Sequence, residues 1–208
     1  SARVELYTSA GVYSTFTTTN GSGSYSFTGL GAGTYYVRVV NSSVTSSRTG
    51  YTSAAKAVQT YRTDATSGTT VAVTDHVGGT NPAVVDPGNG SSGATFNTST
   101  FVYSAVLIGT AQSVTPAVVS TTDIAGLDFG FNFNTVVNTN NTEQGSLRQF
   151  IDNANLLGGD ASLAQVGLVA AKDNAVFMIS NGTSAAGLRA ANDYFSAGVA
   201  TISLSPGL

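Results

Sequence analysis

The only histidine of the chain, His76, follows Asp75 directly, so these two residues could form a histidine–carboxylate pair. Such a pair can act as a general base, and Asp64 and Asp86 lie near it in the sequence. The sequence contains no G-x-S-x-G elbow, H-E-x-x-H helix or phosphate-binding loop that would complete a catalytic site around that base. We therefore interpret His76 as a solvated loop histidine and predict that the chain is not an enzyme.

Hard oxygen ligands that could bind calcium are also present, at Asp86, Asn89, Asp152, Asn153 and Asp160. Their spacing fits neither an EF-hand nor an RTX repeat, and turn chemistry explains Asp86 and Asn89 equally well. A chain without cysteine and with one histidine offers no thiolate cluster and almost no imidazole ligands. We predict no cofactor, with bound calcium as the open alternative.

Four tyrosines could form a platform on which a sugar ring stacks, namely Tyr13, Tyr25, Tyr36 and Tyr103. They fall in strand-like segments, where aromatic rings pack across a sheet while their hydroxyl groups reach water. Packing is the interpretation that we favour, and binding of carbohydrate or of a host surface stays open.

The composition is typical of an exported protein. Only 9% of the 208 residues are charged, against roughly 25% in ordinary soluble domains, so Ser, Thr, Asn and Gly must form the polar surface. A net charge of −3 gives little field to hold nucleic acid. No apolar run reaches the roughly 18 residues of a membrane span. We predict a secreted, extracellular or cell-surface protein without nucleic-acid partners or membrane insertion.

Period-two alternation predicts strands in the first fifty residues, at a spacing typical of a sandwich or barrel. In residues 3–7 it places Val4 and Leu6 on one face. In residues 34–40 it divides the side chains into two sets, with Tyr35, Val37 and Val39 on one face and Tyr36, Arg38 and Val40 on the other.

A hairpin is predicted between a strand in residues 12–19 and a strand at 25–27. The turn between them, residues 20–23, reads Asn-Gly-Ser-Gly and supplies the residues that adopt positive φ easily.

The pattern loosens between residues 45 and 116, where Ser, Thr and Gly dominate. We interpret this region as a long, partly ordered insertion. Regular alternation returns in residues 124–133, which predicts a half-buried strand with one apolar face, formed by Leu127, Phe129, Phe131 and Phe133.

The last third has a different character. Ser146 is a natural N-cap, Gln149 completes a capping box, and apolar residues then recur at helical spacing. This predicts a helix that ends near Asn155. Further along, we predict a strand in residues 174–180, a helix in 185–195 and a strand in 199–204.

Residues 23–37 follow the pattern Gly-x-Tyr-x-Phe-x-x-Leu-x-x-Gly-x-Tyr-x-Val, and residues 128–131 read Asp-Phe-Gly-Phe. Both stretches resemble the prealbumin-like B-type repeat of bacterial surface adhesins. The resemblance implies a prealbumin/Ig-like β-sandwich over residues 1–133, interrupted by the insertion at 45–116. Such repeats usually begin with one more strand, so we expect an open edge on the strand at residues 3–7.

Residues 146–155 read Ser-Leu-Arg-Gln-Phe-Ile-Asp-Asn-Ala-Asn. This segment resembles the Ser-Leu-Arg-Glu-Ala-Ile-x-x-Ala-Asn opening of the parallel β-helix in exported bacterial proteins, with Gln149 and Phe150 in place of Glu-Ala. The resemblance implies a smaller α+β region over residues 134–208 that is similar to a β-helix cap.

An open edge strand recruits another chain unless something blunts it. We therefore predict a homopolymer in which residues 199–204 of one copy add to the first strand of the next. The predicted assembly residues are Arg3, Val4, Glu5, Leu6 and Tyr7 on the accepting side and Ala200, Thr201, Ile202, Ser203 and Leu204 on the donating side.

The function that we expect is that of a structural subunit of a bacterial surface filament or fibre. Two alternatives stay open. The chain could be a domain pair of a large cell-surface adhesin or autotransported β-helix protein, or the non-catalytic part of a carbohydrate-active β-helix enzyme.

Overall fold

The structure is a computed structural model that describes residues 1–158, 172–188 and 192–204. Within these residues the protein is mostly β, with several antiparallel sheets and one α-helix, α1 (Leu147–Leu156). The predicted mostly β class is confirmed, whereas the prealbumin-like sandwich stays a prediction. The strands are β1 (Arg3–Thr8), β2 (Tyr13–Thr18), β3 (Gly33–Val39), β4 (Val58–Asp64), β5 (Val71–Val73), β6 (Thr95–Phe96), β7 (Tyr103–Ala105), β8 (Ser113–Val119), β9 (Phe129–Asn132), β10 (Thr135–Val136) and β11 (Val176–Phe177).

The largest sheet has four antiparallel strands in the order β2-β1-β3-β8. At its centre Val4 lies opposite Val39, and Leu6 lies opposite Val37. These four side chains are buried in one cluster. The faces predicted from the alternation of β1 and β3 are therefore confirmed.

The open edge predicted for the first strand is wrong. β1 pairs with β2 on one side and with β3 on the other, so its backbone groups are used on both sides. Arg3 is half-buried, and Val4, Glu5, Leu6 and Tyr7 are buried. These residues cannot accept a further strand, because their backbone partners are already in place.

Residues 45–116 are more regular than their composition predicts. They form β4 to β7 and begin β8, which lies beside β3 in the main sheet. β4 is the middle strand of a second sheet with the order β5-β4-β9. Ala65 links the two sheets, since its backbone N–H donates to Pro116 and its carbonyl accepts from Val118. This region is part of the folded core and not a partly ordered insertion.

Each face of the four-stranded sheet carries its own cluster. The first face bears Val4, Leu6, Val37 and Val39, against which half-buried residues of later segments pack. Among these are the four predicted from alternation, namely Leu127, Phe129, Phe131 and Phe133. The second face bears an aromatic cluster, with Tyr7, Phe96 and Tyr103 at its centre.

The helix predicted after Ser146 is confirmed as α1. The Ser146 hydroxyl accepts a hydrogen bond from the Gln149 N–H at 3.1 Å. The Gln149 side chain turns instead to Asn153, so only the N-cap half of the predicted capping box forms. α1 connects β10 to β11 along the chain, and these two strands pair in parallel.

Two other predictions for the last third differ from the structure. The described part of residues 185–195 is not helical, because Ala185 and Leu188 form an isolated bridge and turns follow. Residues 199–204 have no regular secondary structure and belong to no sheet, so the strand predicted there is not present. In the described ranges no helix is both long and apolar enough to cross a membrane.

Candidate functional site

The predicted histidine–carboxylate pair does form, since His76 Nδ1 contacts the Asp75 carboxylate. Both side chains are partly exposed. Asp64 accepts hydrogen bonds within its own turn, and Asp86 lies in a buried ion pair elsewhere. Among the residues that the structure describes, no three His, Cys, Asp or Glu side chains are grouped to hold a metal ion.

The oxygen ligands considered for calcium do not come together either. Asn153 is buried in α1, where its side-chain oxygen accepts from the Lys56 N–H at 2.9 Å. Its amide nitrogen donates to the carbonyls of Lys56 at 2.9 Å and Phe133 at 2.8 Å. Asn153 therefore fastens the helix to the sheets, while Asn89 and Asp152 are exposed and Asp160 lies outside the described residues.

A network of buried charges lies on the second face of the four-stranded sheet, where the sequence indicated no site. Arg38 forms ion pairs of 2.9 Å with both Glu5 and Asp86, and the three side chains are almost inaccessible. Glu5 also accepts from the Arg3 side chain and from the Gly90 N–H, each at 2.7 Å. Two cations and two carboxylates thus balance one another.

The turn at residues 86–90 closes this network. Asp86 accepts from the backbone N–H groups of Asn41 at 3.1 Å and Gln112 at 2.9 Å. Gly90 approaches so closely that a Cβ there would collide with the Tyr7 hydroxyl. Glycine is therefore required where the turn meets the sheet.

Arg38 and the tyrosines of this network keep their protons near neutral pH. Burial alone would lower the pKa of Arg38, but Asp86, Tyr103 and Glu5 together raise it above its usual range. Burial raises the pKa of Tyr103 to about 12 and also raises the pKa of Tyr7. Because neither the guanidinium nor the phenols exchange a proton near pH 7, we assign these groups a structural role.

The four tyrosines considered as a carbohydrate platform do not share one surface. Tyr103 is only 6% exposed, with its ring centroid 5.5 Å from that of Phe96. Tyr13 and Tyr36 pack at the edge of the same cluster. Tyr25 belongs to the cluster on the opposite face of the sheet. Their placement agrees with the packing interpretation.

An apolar groove of about 730 Å³ opens on the first face of the sheet. Two segments outside the sheets, residues 23–30 and 123–128, form its walls. Its floor consists of side chains from β1, β3 and β8, namely Leu6, Tyr35, Val37, Ala117 and Val119. We call this feature the apolar groove.

In the first wall of the apolar groove, half-buried and exposed side chains alternate as they do along a strand. Half-buried Tyr25 and Phe27 alternate with exposed Ser26 and Thr28. No backbone N–H or carbonyl of residues 25–30 forms a hydrogen bond to a described residue. The predicted alternation is therefore present, but the predicted strand at residues 25–27 and its hairpin with residues 12–19 are wrong, because β2 pairs with β1 instead.

The carbonyls of the second wall have different partners. The Leu127 carbonyl accepts from the Tyr25 hydroxyl, which reaches across from the first wall at 2.5 Å. Its neighbours face β4, where Thr63 donates to the carbonyls of Gly126 at 2.8 Å and Asp128 at 3.0 Å. The second wall thus continues the edge of the second sheet beyond β9.

One side chain joins the two walls of the apolar groove, since the Tyr25 hydroxyl of the first wall donates to the Leu127 carbonyl of the second. Burial raises the pKa of that tyrosine, Tyr25, and nearby Asp128 raises it further. The Tyr25 side chain therefore bridges the two walls of the apolar groove.

The predicted donor, residues 199–204, is available for pairing. Val199 is 69% exposed and Leu204 is 39% exposed. Ala200 and Ile202 are half-buried and alternate with exposed Thr201 and Ser203. None of these residues forms a hydrogen bond to a described residue.

Sequence reasoning therefore placed the accepting side wrongly. The predicted acceptors, residues 3–7, lie inside the sheet, and the unpaired backbone lies at residues 25–30. The available signal was the alternation around Tyr25 and Phe27, which identifies a strand but not its neighbours.

Comparisons of the chain with protein-family models, curated proteins and solved structures find no match. The fold and the apolar groove define it only as a mostly β protein with a groove on one face of its largest sheet.

Proposed function

We propose that this chain is a non-catalytic extracellular structural protein, a subunit of a bacterial surface filament or fibre that assembles head-to-tail by β-strand addition. The observation that carries the proposal is the apolar groove beside the unpaired backbone of residues 25–30. An added strand gains main-chain hydrogen bonds along such an edge, and pockets for alternate side chains fix its register.

The fold that best fits this function is a prealbumin/Ig-like sandwich. One layer is the four-stranded sheet, and the other contains β5, β4 and β9, with aromatic residues of the second layer on the apolar face of the first. In such a sandwich the inner faces of the two layers form the core between them. The prealbumin-like pattern in residues 23–37 supports the same architecture.

The composition supports an extracellular location and self-assembly. With 9% charged residues, copies of the chain meet little electrostatic repulsion. Donor and acceptor are different patches of one chain, so each contact is heterologous, and heterologous contacts that do not close produce filaments. The partner is therefore a further copy of the chain.

One observation favours a second candidate, a domain pair of a large surface adhesin or autotransported β-helix protein. β10 and β11 pair in parallel with α1 between them, as in the first coil of a parallel β-helix. In that function residues 134–204 would belong to a solenoid, and the chain would not polymerise.

Assembly state separates the two candidates. The purified chain is examined by size-exclusion chromatography with light scattering and by negative-stain electron microscopy over a hundredfold range of concentration. The proposed function predicts filaments that grow more numerous with concentration. A strictly monomeric preparation at the highest concentration would contradict it and favour the second candidate.

A further inference from the structure

The apolar groove lies beside backbone groups that have no partner among the described residues, and residues 199–204 alternate in burial without belonging to a sheet. We infer that residues 199–204 of a second copy fill the apolar groove, between residues 24–30 and 124–128, with Ala200, Ile202 and Leu204 facing the floor. This inference rests on the proposed function and identifies the contact through which assembly occurs.

The backbone of the groove requires a strand and not merely an apolar side chain. The N–H and carbonyl groups of residues 25–30 have no partners among the described residues. Burying such groups without hydrogen bonds is costly, so an occupant that excludes water must supply backbone partners.

The floor matches one face of the donor. Leu6, Val37 and Ala117 line it with aliphatic surface. A strand with small or aliphatic residues at alternate positions places those side chains on the floor and its polar side chains outward. Residues 199–204 read Val-Ala-Thr-Ile-Ser-Leu, which has that alternation.

The length and the charge of residues 199–204 also match the apolar groove. The six residues of 199–204 span roughly 20 Å as a strand, about the length of residues 24–30. Asp123 and Asp128 line the groove, so a donor with a carboxylate would be repelled, and residues 199–204 contain no charged side chain.

The outer edge of β2 is a weaker acceptor. β2 pairs with β1 through an irregular register between Leu6 and Tyr7. The Arg3 guanidinium lies 3.6 Å from the ring centroid of Phe16, which places a charge on this edge. Bulges and charges are the devices that prevent strand addition, and the apolar groove has neither on its floor.

Disulfide trapping tests the contact, because the natural chain contains no cysteine. Thr28→Cys and Ser203→Cys each replace an exposed residue, and side chains on one face of neighbouring strands lie within disulfide reach. The two variants are mixed and oxidised under mild conditions. Ser26→Cys with Thr201→Cys covers the adjacent register, and Thr15→Cys on β2 with Ser203→Cys is the control.

We expect at least one groove mixture to give several-fold more covalent dimer than the β2 control. More dimer from the β2 control would overturn the assignment of the acceptor. Filaments without a cross-link in either groove mixture would overturn the assignment of the donor but leave the proposed function intact. The absence of filaments and cross-links contradicts both.

A double variant, Thr28→Cys with Ser203→Cys, distinguishes a second copy from the same copy. Oxidation at decreasing concentration should lower the dimer yield without producing a cross-linked monomer, which is recognised by its faster migration without reducing agent. A concentration-independent cross-linked monomer would mean that the segment fills its own groove, and would overturn the inference.

Discussion

On one face of the four-stranded sheet, Arg38, Glu5 and Asp86 satisfy one another inside a closed network. On the other face, the backbone of residues 25–30 has no hydrogen-bond partner among the described residues and lies beside the apolar groove. The same four strands support both faces. The difference shows that the chain can satisfy buried polar groups where a covering turn exists. We therefore interpret the open face as a site for an added strand, and the closed face as the source of stability.

The largest expected effect comes from breaking the closed face. Arg38→Leu leaves Glu5 and Asp86 without their buried cation, and we expect the free energy of unfolding to fall by about 3–5 kcal/mol. Chemical denaturation followed by tyrosine fluorescence measures the loss. If Arg38→Leu lies too close to unfolding, Asp86→Asn provides a milder test in the same direction.

The control is Arg148→Leu, because Arg148 is half-buried and bonds to the Asn141 carbonyl at 3.0 Å outside the network. We expect a change below about 1 kcal/mol. Equal losses in the two arginine variants would contradict the special role of the closed face.

Alkaline pH should also lower the free energy of unfolding through the closed face, by a smaller amount. Unfolded tyrosine ionises near its ordinary pKa of about 10, whereas burial raises the pKa of Tyr103 in the folded chain to about 12. A raised folded pKa means that this stability is complete below pH about 10 and is lost as pH rises toward 12. The loss approaches about 1.4 kcal/mol per pH unit for one phenol.

Denaturation curves between pH 8 and 12 check this effect, and Tyr103→Phe should reduce the slope of stability against pH. An unchanged slope in Tyr103→Phe would show that other groups cause the alkaline transition.

The smallest expected effect on stability comes from removing a tyrosine hydroxyl on the open face. Tyr25→Phe removes the hydrogen bond to the Leu127 carbonyl, and we expect a loss of about 1 kcal/mol. Tyr35→Phe removes a 3.0 Å bond to Gly31 in an exposed position and should cost less. The comparison is made by chemical denaturation of the unassembled chain. A larger loss in Tyr35→Phe would contradict the proposed bridge across the groove.

The sequence predicted well which side chains share one face of a strand, but it predicted poorly which strands pair with each other. Alternation fixed the sides of Val4, Leu6, Val37 and Val39, because side-chain direction in a strand is a local property. It could not show that residues 3–7 are paired on both sides while residues 25–27 are unpaired, because strand neighbours depend on tertiary contacts.

The closed network could not be predicted for a related reason. Glu5, Arg38 and Asp86 are far apart in the sequence and meet only when the turn at residues 86–90 folds over the sheet. The helix predicted from apolar spacing after Ser146, where an N-cap residue precedes the spacing, is confirmed. The helix predicted for residues 185–195 is wrong in the described part of that range.

The most direct measurement of the central claim compares two double variants by negative-stain microscopy. Ile202→Asp with Leu204→Asp places carboxylates on the apolar floor near Asp123 and Asp128, so it should abolish filaments while the free energy of unfolding stays within about 0.5 kcal/mol. Val106→Asp with Ile108→Asp changes residues that are 64% and 94% exposed, so this control should form filaments normally. Normal filaments from the first variant would contradict assembly through residues 199–204, and loss of filaments from both would deny the groove its specific role.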